Sequence, residues 1–169
     1  MIRPAKEMDV ATILDITKAC GAHLRSKNIF QWNSHYPDIN TLAQDVQRNE
    51  LWVLEDASFV KGCVVLSDFM DKEYECIPWT TQNEGAKYVH RLAVHPKWQR
   101  QGIAGNLMDF AEQLALNKGA TAVRLDTFSR NPGNQIFYEN RGYKTRGAIY
   151  FPNQSAYPFY CYELILKSL

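Results

Sequence analysis

Residues 98–107 read WQRQGIAGNL, with Gly102 and Gly105 three apart, Arg100 just before them and an apolar periodic run just after. That arrangement suits an anion. The first amides of a helix lack intrahelical partners, and the helix dipole adds roughly half a positive charge at that end. A phosphate placed there accepts the free N–H groups. Glycine at 102 and 105 lets a ligand oxygen approach the main chain, and Arg100 adds a charge-assisted contact. The stretch fits neither the GxxxxGK[ST] phosphate loop nor the GxGxxG dinucleotide fingerprint. A competing expectation is purely structural: the two glycines let the helix pack close to a sheet.

The elements that must position this loop follow from periodicity. IRPA starts a strand, and Val10, Ile13, Leu14, Thr17, Cys20 and Leu24 recur at helical spacing. Asn40 is expected to cap a second, short helix. LWVLED and GCVVLSD read as strands joined by a hairpin, and YVHRLAV as a third strand ended at His95-Pro96. Between them, residues 69–87 form a polar, turn-rich connection long enough to suggest function. Ile103, Leu107, Phe110, Ala111 and Leu114 mark a helix ended by Gly119, followed by strand AVRLDTF, helix NQIFYENRG and two final strands. The predicted order is β-α-α-β-β-β-α-β-α-β-β, a single domain over 1–169 of mixed α+β class.

Composition limits the partners. The 169 residues carry 19 Lys+Arg against 18 Asp+Glu, so no broad field for nucleic acid or anionic lipid is expected. No apolar run approaches the ~20 residues of a membrane span, and MIRPAKEMDV lacks a signal-peptide core. A cytoplasmic protein is expected. Cys20, Cys63, Cys76 and Cys161 form no CxxC or Cys/His cluster; they read as reduced and mostly buried, with no metal implied.

The pattern Gln99-x-x-Gly102-x-Ala104 after LAVHPKW resembles the acyl-CoA pyrophosphate loop of the GNAT (GCN5-related) N-acetyltransferases. SRNPGNQIFYENRGY is similar to a second segment of that family, with Asn131 opening a helix, Tyr138 one residue before an acidic one, and Gly142-Tyr143 closing it. The resemblance covers nearly the whole chain and implies a central, mostly antiparallel sheet flanked by helices. It implies acetyl-CoA as acyl donor, pantetheine contacts from Leu92, Ala93 and Val94, and pyrophosphate contacts from the amides of Arg100, Gln101, Gly102, Ile103, Ala104 and Gly105. The Val94 amide is expected to stabilise the oxyanion. Asn131 matches a cofactor contact; Asn134 stands where the family usually has alanine. Tyr138 matches the phenol near the cofactor sulfur, where its proton can go to a departing thiolate.

The family's strand glutamate is missing, for Tyr88 holds its position. His90, expected on the same strand face as Tyr88 and Leu92, is an alternative base, as are Glu73, Glu75, Glu84 or a water chain. Trp32, Tyr36, Trp79 and Tyr88 are expected on the acceptor side, where an aromatic wall favours an amine on an apolar body or a cation. The implied reaction is direct acetyl transfer to a small-molecule or peptide amine; a longer acyl group remains open. Two alternatives stand beside it. One is a silent acyl-CoA-binding sensor; the other, a KH-type GxxG loop for RNA, is disfavoured by the balanced charge and the strand and His95-Pro96 that precede the loop. Pairing through the C-terminal strands would make a homodimer.

Overall fold

The computed structural model describes residues 1–33 and 35–166. Its elements follow the predicted order: β1 (Ile2–Pro4), α1 (Val10–Arg25), α2 (Ile39–Gln47), β2 (Leu51–Asp56), β3 (Phe59–Ser67), β4 (Ala86–Val94), α3 (Ile103–Asn117), β5 (Ala122–Phe128), α4 (Pro132–Asn140), β6 (Lys144–Ile149) and β7 (Phe159–Ile165). Over the described residues they form one sheet in the order β1-β2-β3-β4-β5-β7-β6. Every neighbouring pair is antiparallel except β4 and β5, the pair joined by the α3 crossover that a parallel connection requires. No described helix is long and apolar enough to cross a membrane.

Apolar spacing explains which helix covers which face. Leu107, Met108, Ala111 and Ala115 of α3 are fully buried and pack with Val64, Val123, Leu125 and Tyr138. On the opposite face Ile13 and Ile16 of α1 and Leu42 of α2 pack on Leu51, Val53 and Val65. Capping of α2 differs from expectation: the helix starts at Ile39, and the Asp38 carboxylate accepts the Thr41 N–H at 2.7 Å. Cys20, Cys63 and Cys161 are buried, Cys76 is exposed, and all four are free thiols.

Two features of β4 open the sheet. Its parallel ladder with β5 consists of only three pairs, Ala86 with Ala122, Lys87 with Val123 and Tyr88 with Arg124. Past Tyr88 the strands part. On its other edge β4 stays paired with β3, but the register shifts between Cys63 and Val65, and Arg91 adopts φ 49°. The extra residue is a bulge, which bends the strand and re-aims the side chains beyond it. Strict alternation therefore fails at this point. Tyr88 packs on one face, whereas Val89, Leu92 and Val94 all meet the α3 cluster on the other. The expectation that Leu92 shares a face with Tyr88 and His90 is corrected by the bulge.

The connection 68–85 is pinned rather than loose. Tyr74 is fully buried and sits in a short 3-10 turn, Lys72–Cys76. Glu163 of β7, also fully buried, accepts the Thr80 and Thr81 N–H groups at 2.9 and 3.2 Å and the Thr81 hydroxyl at 2.8 Å. Arg124 faces it across the β5–β7 ladder at 3.3 Å and donates to the Thr81 carbonyl and to Asn83 Oδ1, both at 2.6 Å. Burial works against the Glu163 charge, yet the Thr80 and Thr81 donors hold its carboxyl below the usual range. Glu163→Ala leaves the Arg124 charge buried and the threonine amides unpaired, so urea unfolding at pH 7 should show a loss of about 3–5 kcal/mol. A loss below about 1 kcal/mol would show that this network does not hold the connection.

Candidate active site

The wedge between the parted strands continues into two cavities. The larger, about 560 Å³, runs from α1 past β4 to the starts of α3 and α4; the smaller, about 280 Å³, lies under β4 and β5. They share Gln31, Trp32, Leu92, Asn134 and Tyr138. Any group passing from one cavity to the other passes these side chains.

The larger cavity collects the expected anion loop. Leu92, Ala93, Val94, Arg100, Gly102, Ile103, Ala104, Gly105, Asn131 and Asn134 all line it, joined by His23 of α1 and Lys27 just after it; among the described residues no Asp or Glu does. Gln101 is the exception, its side chain turned to the Lys97 carbonyl at 3.5 Å. Gln99 donates to the Val94 carbonyl at 2.9 Å and so ties the loop to the end of β4. Arg100 and Gly102 take φ of 61° and 79°, which turns the chain sharply into α3. Among the described residues no backbone acceptor meets the amides of Arg100, Gln101 or Gly102. Those of Ile103, Ala104 and Gly105, in the first turn of α3, have none by helix geometry.

The packing explanation for Gly105 fails here. A Cβ added at Gly105 meets no atom within 4 Å, and the residue has an ordinary helical backbone. Neither neighbours nor dihedrals require glycine. Glycine in a helix costs roughly 0.5–1 kcal/mol relative to alanine, and the space beside Gly105 is open to the cavity.

The start of α4 departs from expectation in its bonding. Asn131 is buried, but its Oδ1 caps the helix by accepting the Asn134 N–H at 3.2 Å, and its Nδ2 donates to Gln31 Oε1 at 3.0 Å. Asn134 Nδ2 donates to Thr127 Oγ1 at 3.3 Å. Both side chains border the cavity while engaged within the protein. Tyr138 is 5% exposed and packs edge-on to Phe137 and Tyr143. Burial and the nearby Asp126 carboxylate raise its pKa, so the phenol keeps its proton.

The smaller cavity has the opposite character. Asp71, Glu73 and Asp126 line it together with Trp32, Tyr36, His90, Phe151 and Phe159. Among the described residues its one Lys or Arg is already paired: Arg91 makes a two-pronged pair with Asp45 at 2.7 and 2.8 Å and donates to the Tyr36 hydroxyl at 2.8 Å. The bulge directs Arg91 to this pair, which fixes Tyr36 in the wall.

Two expected acceptor-side residues lie elsewhere. Trp79 covers the Arg124 guanidinium at 4.5 Å and donates to the Tyr74 carbonyl, because the connection folds back over β7. Tyr88 is 1% exposed, packed beside Tyr74, with its hydroxyl accepting from Arg124 at 3.3 Å. Of the loop glutamates, Glu73 reaches the cavity and Glu75 does not, while Glu84 borders a surface hollow beside Trp79.

His90 does reach the cavity, but its chemistry differs from expectation. Burial, with the adjacent Arg91 charge, depresses its pKa to about 3, which leaves a neutral imidazole that accepts hydrogen bonds and is too weak a base for an ammonium proton. The carboxylate the sequence reading passed over is Asp126. Burial raises its pKa to about 6, against the 2.6 Å hydrogen bond from the Tyr74 hydroxyl that favours its charge. The available signal was an acid inside the core strand AVRLDTF, where a charge needs a reason.

The family model for the acetyltransferase (GNAT) domain matches residues 47–145. The chain is 24% identical over 148 residues to the uncharacterized N-acetyltransferase YesJ of Bacillus subtilis (strain 168), covering 86% of this chain and 82% of that one. A GNAT-family acetyltransferase from Streptococcus agalactiae 2603 superposes with TM-score 0.81 at 20% identity, covering 99% and 96% of the two chains. The PaiA N-acetyltransferase of Thermoplasma acidophilum, solved in complex with coenzyme A, superposes with TM-score 0.74 at 16% identity over 98% of both.

Two measurements check this geometry. Gly105→Ala should stabilise the ligand-free protein by roughly 0.5–1 kcal/mol in urea unfolding, and destabilisation would restore a packing role for the glycine. In an NMR titration the His90 ring should stay neutral from pH 8 down to pH 5, and a midpoint near the ordinary histidine value would contradict its burial.

Proposed function

Because the chain belongs to the GNAT acetyltransferase family, we propose that it transfers the acetyl group of acetyl-CoA directly to an amine, the larger cavity holding the donor and the smaller the acceptor. The observation that carries this reading is the meeting of a basic and an acidic cavity at Tyr138. A pyrophosphate needs amide donors and cations, supplied by Arg100 to Gly105 with His23 and Lys27 around them. An amine arrives as an ammonium ion and needs carboxylates and aromatic faces. The complex of PaiA with coenzyme A, on the same fold, supports the assignment of the larger cavity.

The donor supplies an activated thioester. The edge of β4 beyond Tyr88, freed from β5, offers main-chain groups to the pantetheine arm, and its amides, that of Val94 among them, serve the oxyanion. The neutral amine attacks the carbonyl carbon, the C–N bond forms, and the C–S bond breaks. Tyr138 gives its proton to the departing sulfur and regains one from the amide nitrogen. A phenol suits this role because burial keeps its hydroxyl protonated, so a proton stands beside the sulfur as the C–S bond breaks and is replaced from the amide nitrogen.

Calorimetric titration with acetyl-CoA, desulfo-CoA and ATP, followed by assay of thiol release over a panel of amines, tests the proposal. Both CoA compounds should bind far more tightly than ATP. Gly105→Ala, more stable without ligand, should bind CoA at least tenfold more weakly. Tyr138→Phe should lower kcat by about 10²-fold or more with CoA affinity unchanged. An unchanged rate would remove Tyr138 from the chemistry, and CoA binding without thiol release from any amine would favour a sensor.

A further inference from the structure

Along the smaller cavity three side chains from three segments converge: Asp71 from the pinned connection, His90 from β4 and Asp126 from β5. One ligating atom from each lies within 4.8 Å of the other two. They are not bonded to one another, for His90 Nδ1 stands 3.9 Å from Asp71 Oδ2, beyond hydrogen-bond range. The His90 side chain is only 10% exposed and makes no hydrogen bond among the described residues, although it borders the cavity. The half-buried imidazole, without a side-chain partner among the described residues, faces two half-buried carboxylates across the open space of the cavity.

The spacing suits a small donor placed between the three. An ammonium nitrogen making three bonds of about 2.8 Å at tetrahedral angles sets its acceptors about 4.6 Å apart. We propose that Asp71, His90 and Asp126 receive the ammonium group of the acceptor, that Asp126 takes its proton, and that the substrate class is a primary amine with no carboxylate beside its nitrogen. The inference rests on the acetyl-transfer function proposed above. One N–H proton of the R–NH₃⁺ group passes to an Asp126 oxygen, leaving a neutral amine with its lone pair free. That amine attacks the thioester as described, and Asp126 returns its proton to solvent. An α-carboxylate on the substrate would meet Asp71, Glu73 and Asp126 without a free cation to offset it, because Arg91 is held by Asp45.

The protonation states agree with this division of roles. The groups whose charge or dipole reaches Asp126 are Tyr74, Asp71 and Glu73 of the connection, His90 and Arg91 of β4, Cys161 of β7, Tyr138 of α4 and Tyr36. Burial first, then Asp71, raises its pKa to about 6, so it is ionised at pH 7 yet more basic than an ordinary carboxylate. His90, held neutral, accepts a hydrogen bond and takes no proton.

The test uses the full chain with acetyl-CoA, n-butylamine and alanine. The wild-type kcat/KM for butylamine should rise through about pH 6 and exceed that for alanine at least tenfold. Asp126→Asn keeps an acceptor for the Tyr74 hydroxyl and should lower kcat/KM by about 10²-fold or more, with acetyl-CoA affinity unchanged. Tyr74→Phe removes the hydrogen bond that favours the Asp126 charge and should move the acidic limb to higher pH, a shift that a merely structural role would not produce. Titration of butylamine into the CoA complex should perturb the His90 ring signals of the wild type, and far less those of Asp126→Asn. Asp126→Asn activity within threefold of wild type, an acidic limb unmoved in Tyr74→Phe, or alanine preferred over butylamine would each overturn the inference while leaving acetyl transfer intact. Failure of the wild type to bind CoA would overturn the proposed function, and this inference with it.

Discussion

The early end of the β4–β5 ladder is the constraint on which the site depends. Two parallel strands that part after three pairs leave main-chain groups on one edge of β4 without a strand partner, which a folded chain tolerates only where side chains, solvent or a ligand can satisfy them. The bulge at Arg91 keeps the opposite edge paired with β3 while the strand bends away from β5. The wedge thus costs few hydrogen bonds, since the ladder on the closed side survives. Helix α3 sits between the two strands in sequence, and its start is carried to the wide end of the wedge.

From that opening follows a separation of charge that a net charge of +1 conceals. Basic groups gather around the start of α3, and carboxylates gather under β4 and β5. Each set would be unfavourable if left to itself: half-buried carboxylates that have lost part of their water resist ionisation, as the raised pKa values of Asp71 and Asp126 indicate, and free amides at a helix start lack partners. Under the proposed function, a donor bearing phosphates and an acceptor bearing an ammonium ion would relieve both. The two cavities meet beside Tyr138, where burial keeps a proton on the phenol.

The rest of the structure holds these groups in place. Glu163 and Arg124 fasten residues 80–83 to the β5–β7 ladder, which lets Tyr74 reach Asp126. Asp45 and Arg91 fix Tyr36. Trp79 and Tyr88, both read from the sequence as substrate contacts, belong to this supporting layer, their aromatic surface spent on covering a buried guanidinium.

The sequence by itself determined the element order and the anion loop, because both are local properties. Helical and strand periods depend on neighbouring residues, and Gly102, Gly105 and Arg100 act through the backbone of one short segment. The phenol at Tyr138 was equally legible, lying at fixed spacing on one helix. What only the tertiary structure decided was the acidic cavity proposed for the acceptor. Asp71, His90 and Asp126 are separated by long stretches of chain, and no local pattern links them. The alternation that placed Leu92 beside His90 failed because a bulge adds one residue to β4, and a bulge of this kind is set by the partner strand. The protonation of His90 and Asp126 was also beyond the sequence, since it depends on how much water each group has lost and which charges face it, and both are fixed only when the strands and the connection between them pack together.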